Sequence, residues 1–478
     1  MDSISKERRS WNMSRIRSAD TKPELLVRSA LHRAGFRFRL YGKVSKKICA
    51  KGILPGKPDI VLAKYRLVIF IHGCFWHCHE GCKRSNIPKT NSEYWKDKLS
   101  GNKVRDLKNI SKLEEMGWRP IIIWECELKS DFNIENLEKK YMRQLTVGSM
   151  FSGIGGIDLG FEEAGFKVIW ANEFNEKSCE TFKNYERFKH VTMYNQDVHT
   201  LDTDDLEKVD IIASGFPCQA FSIAGYQQGF NDSKGRGNLF FETARFIDKL
   251  RPKAFLLENV RNLQSHDNGN TLIVIKNTLV KDLGYSFIPF VLNSKEYGNI
   301  PQTRERIYIV GFKNEAGIEN IVDKSNKQKY SSKTERFNIP DPIKLTKTIH
   351  DCIFKKKQDD IFYYKENHIY YPTLIEEMVN RDTVYQWRRV YVRENKSNLC
   401  PTLTANMGAG GHNVPLIIDD YGIRKLTPKE CLNFQGYPED FNFPENMARS
   451  HCYMQAGNSV VVPVIKRIAE EIRKVLEE

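Results

Sequence analysis

The sequence predicts an α/β protein in two differently charged parts, a mixed α/β domain followed by a larger one whose parallel sheet is layered with helices. Three observations lead there. Short β-branched runs such as "LVIFI" (67–71) and "VDIIASG" (209–215) recur along the chain, with helix-spaced polar segments between several of them. The 478 residues exceed what a single hydrophobic core usually organises. Charge divides sharply: residues 1–145 carry 31 Lys and Arg against 16 Asp and Glu, net +15, which leaves 43 against 44, net −1, for the rest of a chain whose total is +14. A basic first third is the electrostatic footprint of a polyanion partner, nucleic acid first.

No apolar run reaches the roughly 18 residues of a membrane span, and "MDSISKERRSWNMSRIRSAD" lacks an apolar signal core. The expectation is a soluble cytoplasmic protein without a membrane partner. In a reducing compartment the 11 cysteines do not form a disulfide framework, so metal binding and catalysis are what they point to.

In the first region, residues 1–144, the runs "DIVLA" (59–63), "LVIFI" (67–71) and "PIIIW" (120–124) read as strands. Residues 91–117 have helical spacing and close at Gly117, and 130–144 read as a closing helix. The dense stretch is "HGCFWHCHEGC" (72–82). Zinc takes thiolate and imidazole ligands in tetrahedral sets with close spacing. Cys74, His79 and Cys82 fall within nine residues, and Cys126 ends another strand; His77 and Cys78 are rivals by spacing. The absence of C-x-x-C there disfavours a redox pair.

The second region begins at residue 145. "TVGSMF", "KVIWANE", "VDIIASG", "KAFLLEN" and "RIYIVGF" alternate with helical segments up to residue 312, which argues for a parallel sheet. Residues 313–421 are Lys-, Asn- and Tyr-rich with little periodicity and read as an inserted recognition domain. Apolar order resumes over 422–478. "FSGIGG" (151–156) follows a strand and allows a tight turn, but Asp158 stands where a dinucleotide fingerprint needs Gly or Ala. Glu173, 17 residues beyond Gly156, is placed for ribose hydroxyls and Asp197 for an adenine amino group. An adenosyl ligand without pyrophosphate fits this set. "GFPCQAFS" puts Cys218 just beyond a strand, at the sheet edge where such folds hold ligands, and a thiolate there is a candidate nucleophile.

With these motifs in order, followed by "ENV" (258–260), "QTRER" (302–306), "RKLTPKECLNFQGYP" and "GNSVVVPV" (457–464), residues 146–478 resemble the cytosine-C5 DNA methyltransferases. The resemblance implies a Rossmann-like domain that uses S-adenosylmethionine, with Phe151, Gly153, Gly155, Glu173, Asp197, Asn458 and Val460 around the cofactor. It implies that the Cys218 thiolate adds to ring carbon 6 of an extruded cytosine and activates carbon 5 for methylation, while Glu258 serves the ring nitrogen and Arg306, with Arg304, holds the base carbonyl or the backbone. "SIAGYQQGFNDSKGRGN" (222–238) resembles the family's mobile loop, with Gly235 and Gly237 as hinges. Thr402 and Leu403 occupy the places of its DNA-recognition element.

The stretches "RSWNMSRIRSADTKPE", "LPGKPDIV", "IFIHGCFWHCHEGC", "YWKDKLSGNKVRD" and "GWRPIIIWECE" give residues 9–129 a resemblance to the very-short-patch-repair, or T:G mismatch, DNA endonucleases, whose fold is restriction-endonuclease-like. That resemblance implies zinc on Cys74, His79, Cys82 and Cys126, with one extra residue between His79 and Cys82. It implies magnesium on Asp59 and the backbone carbonyl of Ile71, since Ile71 stands where the common nuclease pattern has a carboxylate. His77 and Asp106 are implied as the acid–base pair, Glu24 as a further catalytic candidate, and Phe75, Trp76 and Trp95 as wedges beside the mismatch.

Deaminated 5-methylcytosine is thymine, so a nuclease that nicks at T:G pairs repairs damage made commoner by its own partner domain. The expected partner of both is double-stranded DNA, with the oligomeric state open and a monomer compatible. Two alternatives for the first domain are a restriction-type endonuclease that cuts unmodified sites and a catalytically silent DNA-binding module.

Overall fold

The computed structural model describes residues 19–46, 48–88, 91–128, 144–217, 239–313, 332–388, 391–409 and 413–477. The chain divides into two compact units, Met1–Arg143 and Gln144–Glu478. Among the described residues no helix is long and apolar enough to cross a membrane.

The first unit opens with α1 (Lys22–Arg33), capped by the Thr21 side chain, which accepts from the Glu24 amide, and started by Pro23. Its sheet, among the described residues, has the order β1 (Arg39–Leu40), β2 (Ile60–Leu62), β3 (Leu67–His72), β4 (Arg119–Trp124). Strand β3 is apolar from Leu67 to Ile71 because both its faces are covered: Leu67 and Ile69 join one hydrophobic cluster, Val68 and Phe70 the other. Helix α2 (Ser92–Glu115) connects β3 to β4, and Gly117, at φ 74°, makes the left-handed turn that releases the chain into β4. Strands β3 and β4 run parallel with His72 opposite Trp124, so the Cys/His-rich loop and "ECE" leave the sheet side by side. Most of the expected closing helix over 130–144 lies outside the described residues.

The second unit carries a seven-stranded sheet among the described residues, β5 (Thr146–Met150), β6 (Lys167–Asn172), β7 (Thr192–Tyr194), β8 (Ile211–Ser214), β9 (Ala254–Val260), β10 (Ile288–Asn293) and β12 (Glu305–Phe312), in the order β10-β12-β9-β8-β5-β6-β7. Alternate residues feed two cores: Ile211, Ala213, Leu256 and Val310 face one, and Ile212, Leu257 and Ile309 the other. The strands from β9 to β7 are parallel, but "RIYIVGF" is antiparallel to both its neighbours, which corrects the all-parallel expectation. The segment from β10 to β12 is too short for a helical crossover, so β12 can only return antiparallel.

The insertion also differs from its irregular expectation. Strands β13 (Tyr385–Arg388), β14 (Tyr391–Glu394), β16 (Leu416–Asp419) and β17 (Gly422–Lys425) form an antiparallel sheet, so the sheet of the insertion continues past residue 421. Its strands are short and bounded by polar loops, which hides the period of two. A short parallel pairing of β11 (Gln302–Thr303) with β15 (Cys400–Pro401) ties the end of the insertion to the core. The chain closes with helices at Pro428–Asn433, Arg449–Asn458 and Val462–Glu477, the last burying Ile465, Ile468 and Ile472.

Candidate active sites

In the second unit the carboxyl ends of β5, β6, β8 and β9 open on a cavity of about 760 Å³ lined by Phe151, Gly153, Glu173, Asp197, Glu258, Arg306, Asn458 and Val460, among others. Glu173 is fixed at both oxygens, accepting from the Gly153 amide at 2.9 Å and the Asn175 amide at 2.8 Å, which locks the glycine turn against the end of β6. Asp197 accepts from the His199 amide and pairs with its ring at 2.7 Å, contacts that hold its carboxyl below the usual range. Gly153, at φ 56°, has open space where a side chain would begin, whereas a Cβ on Gly155 would lie 2.3 Å from the Phe188 ring; Gly155 serves packing. A turn with exposed backbone, two fixed carboxylates and this volume suit an adenosyl cofactor.

Across the cavity Glu258 is 8 % exposed, and its Oε1 lies 3.1 Å from Arg306 Nε. Asn259 donates to the Phe216 carbonyl at 2.8 Å, so β9 fixes the chain that leads from β8 through Pro217. Pro217 lines the cavity, whereas Cys218, Gly235 and Gly237 lie outside the described residues.

In the first unit a cavity of about 390 Å³ brings together Glu24, Asp59, Ile71, His72, Trp76, His77 and Asp106. Asp59 Oδ2 accepts from the Ile71 amide at 2.7 Å. Burial pushes the Asp59 carboxyl up to about 6, and Glu24 adds to the rise against the lowering by that amide. His77 Nδ1 is 2.6 Å from Asp106 Oδ2, and the His72 ring stacks on His77. Burial first, then His77, holds His72 below the usual imidazole range. Glu24 is engaged elsewhere, taking the Thr21 hydroxyl at 3.0 Å and pairing with Arg28 at 2.5 Å.

Beside this cavity the ligand atoms of Cys74, His79, Cys82 and Cys126 all lie within 4.8 Å of one another. His79 Nδ1 is 3.5 Å from Cys74 Sγ and 3.3 Å from Cys126 Sγ, separations compatible with edges of a tetrahedron around zinc. The rivals fall away: His77 is turned to Asp106, and Cys78 is outside the cluster. Phe75, Trp76 and Trp95 are half-buried and meet edge to face at 5.1 to 6.0 Å, with the Lys98 ammonium over both indoles.

The family model for C-5 cytosine-specific DNA methylases matches residues 145–474. The chain belongs to that family. The model for the DNA mismatch endonuclease Vsr matches residues 1–84. The methylase region is 53% identical over 333 residues to type II methyltransferase M.Bsp6I of Bacillus sp. (strain RFL6), covering 69% of this chain and 99% of that protein. It is 33% identical over 349 residues to M.HhaI of Haemophilus parahaemolyticus, covering 70% of this chain and 96% of that one. Solved structures of DNMT2 from Spodoptera frugiperda and S. pombe share the methylase fold, with TM-scores of 0.50 and 0.51 at 20% and 18% identity, over 70% of this chain and 100% and 99% of theirs.

Three residues expected at the base or at DNA make contacts within this methylase. Arg304, expected at the base carbonyl or the backbone, is buried, and its guanidinium donates to the carbonyls of Leu403 and Ser459. Leu403, expected at DNA, is 1 % exposed within the core, and the Thr402 hydroxyl donates to the Thr303 carbonyl. Sequence reasoning missed His72, although it begins the "HGCFWHCHEGC" stretch; an imidazole ending an apolar strand before glycine was the available signal. It also missed Phe174, 73 % exposed at the cofactor cavity, and Asn259, whose signal was its place between Glu258 and Val260.

Proposed function

We propose that this methylase transfers a methyl group to carbon 5 of cytosine within a specific DNA sequence and that its N-terminal domain, residues 1–144, nicks DNA at the T:G mismatches left when the product deaminates. The observation that carries the nuclease reading is the convergence of Asp59, His72, His77 and Asp106 on one cavity, in a domain whose first 84 residues match the Vsr family.

In the nicking domain Asp59 and the Ile71 carbonyl hold magnesium, whose fit is supported by a buried carboxylate short of compensating positive charge. Magnesium held there would supply stabilisation of negative charge on phosphate oxygens. His77, oriented by Asp106, and His72, kept neutral by burial, handle the protons of the attacking water and the leaving oxygen. Glu24 shapes the cavity wall. Cys74, His79, Cys82 and Cys126 hold zinc as a structural knot that pins the loop after β3 to the end of β4. Phe75, Trp76 and Trp95 press against the weakened pair, where unstacking costs least.

In the methylase domain Phe151, Gly153, Glu173, Asp197, Asn458 and Val460 hold S-adenosylmethionine, which supplies an electrophilic methyl group. The Cys218 thiolate adds at carbon 6 of the flipped cytosine, since an unactivated ring is a poor carbon nucleophile. Glu258, held beside Arg306, hydrogen-bonds the ring nitrogen as charge develops there, and Arg306 holds the base carbonyl. Transfer of the carbon-5 proton to water and expulsion of the Cys218 thiolate restore the ring.

One assay tests the nuclease reading. Labelled duplexes that are matched, methylated or T:G mismatched are offered with magnesium, at the site found methylated in an expressing host. Nicking confined to the mismatch supports repair. Double-strand cleavage of unmodified duplex replaces it with restriction, and binding without cleavage with a silent module.

A further inference from the structure

Arg304 is the most deeply committed cation of the methylase cavity. It is 3 % exposed, and Nη1 donates to the Leu403 carbonyl at 2.7 Å while Nη2 donates to the Ser459 carbonyl at 2.5 Å. Both nitrogens also lie 3.4 Å from the Gly457 carbonyl. Leu403 belongs to the recognition element at the end of the insertion; Gly457 and Ser459 belong to the segment that carries Asn458 and Val460 beside the cofactor. One side chain thus bridges two segments that are far apart in sequence.

A buried guanidinium is an expensive way to fill space, because desolvating a cation costs several kcal/mol unless polar groups surround it. Here burial lowers the Arg304 pKa to about 9, and its bonded neighbours are carbonyl dipoles. A planar fork with several fixed donors holds two carbonyl groups in a set relation, which a flexible ammonium cannot do as well.

The contacts continue on both sides. Gln302 accepts from the Leu403 amide at 3.2 Å and donates to the Phe434 carbonyl at 2.6 Å, so Leu403 is gripped at both its N–H and its carbonyl. On the cofactor side the Ser459 hydroxyl pairs with the Tyr437 hydroxyl at 2.6 Å. A Cβ on Gly156 would come within 2.6 Å of Ser459 Oγ and 2.8 Å of the Tyr437 hydroxyl, so this pair rests directly on the glycine turn. Recognition element, Arg304, Ser459 and glycine turn form one unbroken line of contact.

We propose that Arg304 is a positioning residue that couples occupancy of the cofactor cavity to the ordering of the recognition element, without touching the target base. A ligand that settles residues 457–460 presents the Gly457 and Ser459 carbonyls to the fork, and the fork then fixes Leu403. Linkage makes the effect reciprocal: cofactor tightens DNA binding by the factor with which DNA tightens cofactor binding. The proposal rests on the methyltransferase reading.

The test uses the full chain with S-adenosylhomocysteine, which fills the cavity without reacting, and the duplex methylated in an expressing host. Duplex affinity is measured with and without saturating S-adenosylhomocysteine. For the wild type a tightening of about 5-fold or more is expected, falling to less than about 2-fold in Arg304→Lys, and the reverse linkage must shrink equally. Full coupling in Arg304→Lys, with only kcat reduced, overturns the proposal and returns Arg304 to the chemistry. Hydrogen exchange on the wild type keeps the test open if that variant misfolds: S-adenosylhomocysteine alone should slow exchange at residues 402–404 as well as 457–460, and no change at 402–404 overturns it. Methylation without linkage sinks the coupling alone; a wild type that neither methylates nor binds S-adenosylhomocysteine sinks the methyltransferase reading with it.

Discussion

His72 and His77 stack their imidazole rings 3.7 Å apart and 10° from parallel, with Asp106 bonded to the outer histidine at 2.6 Å. Two cations could not share that separation in a buried site, and burial first, then His77, holds His72 below the usual imidazole range, so His72 stays neutral. His77→Ala and His72→Ala should each lower the nicking rate by about 10²- to 10⁴-fold, as expected for loss of a general acid or base. Asp106→Asn should lower it in the same direction, and combined with His77→Ala should add little. Single-turnover nicking checks this, with methylation by the same preparations unchanged.

The thiolate cluster predicts metal content. Purified protein should carry about one zinc ion per chain, and Cys126→Ser or Cys82→Ser should lose it together with thermal stability of the first unit. Metal analysis and thiol titration check the stoichiometry. Full stability after exhaustive chelation would show that the four side chains are only a packed group.

Asp158 is fully buried beneath the glycine turn, and burial pushes its carboxyl up to about 7 against the lowering by its own amide and the Ser149 hydroxyl. A carboxyl whose folded pKa is raised stabilises the fold below its unfolded value near 4, a contribution lost as pH rises through about 7. Asp158→Asn should therefore raise stability more at pH 8 than at pH 5, the two effects differing by roughly 3 kcal/mol or less. Urea unfolding at the two pH values decides; destabilisation at both would mean that the ionised carboxylate is held by a partner.

The two activities should separate by single substitutions. Asp59→Ala should abolish nicking and leave methylation within about 2-fold, because the residue lies in the other compact unit. Cys218→Ala should do the reverse. Parallel methyl-incorporation and nicking assays on each variant check both halves, and loss of both activities in a folded variant would contradict separate sites.

Much of this is legible in the sequence. Glu173 reaches the cavity to which its spacing assigns it, although its bonds there are to the Gly153 and Asn175 amides, and Cys74, His79, Cys82 and Cys126 meet although 43 residues lie between the last two, because β3 and β4 run parallel and end together. What stayed hidden depends on side-chain direction and long-range pairing. A motif shows that arginines stand at 304 and 306, but only the fold turns the first toward Leu403 and Ser459 and the second toward Glu258. His72 was hidden because its neighbours in the cavity, His77 and Asp106, come from other elements. The direction of β12 followed from a connection too short for a crossover, which strand composition does not report.

The account stands most directly on the sulfur of Cys218. Duplex carrying 5-fluorocytosine at the methylated position, incubated with the protein and S-adenosylmethionine, should yield a denaturation-resistant conjugate, and peptide mass spectrometry should place it on Cys218. Methylation of ordinary duplex with no conjugate at that residue would contradict the account.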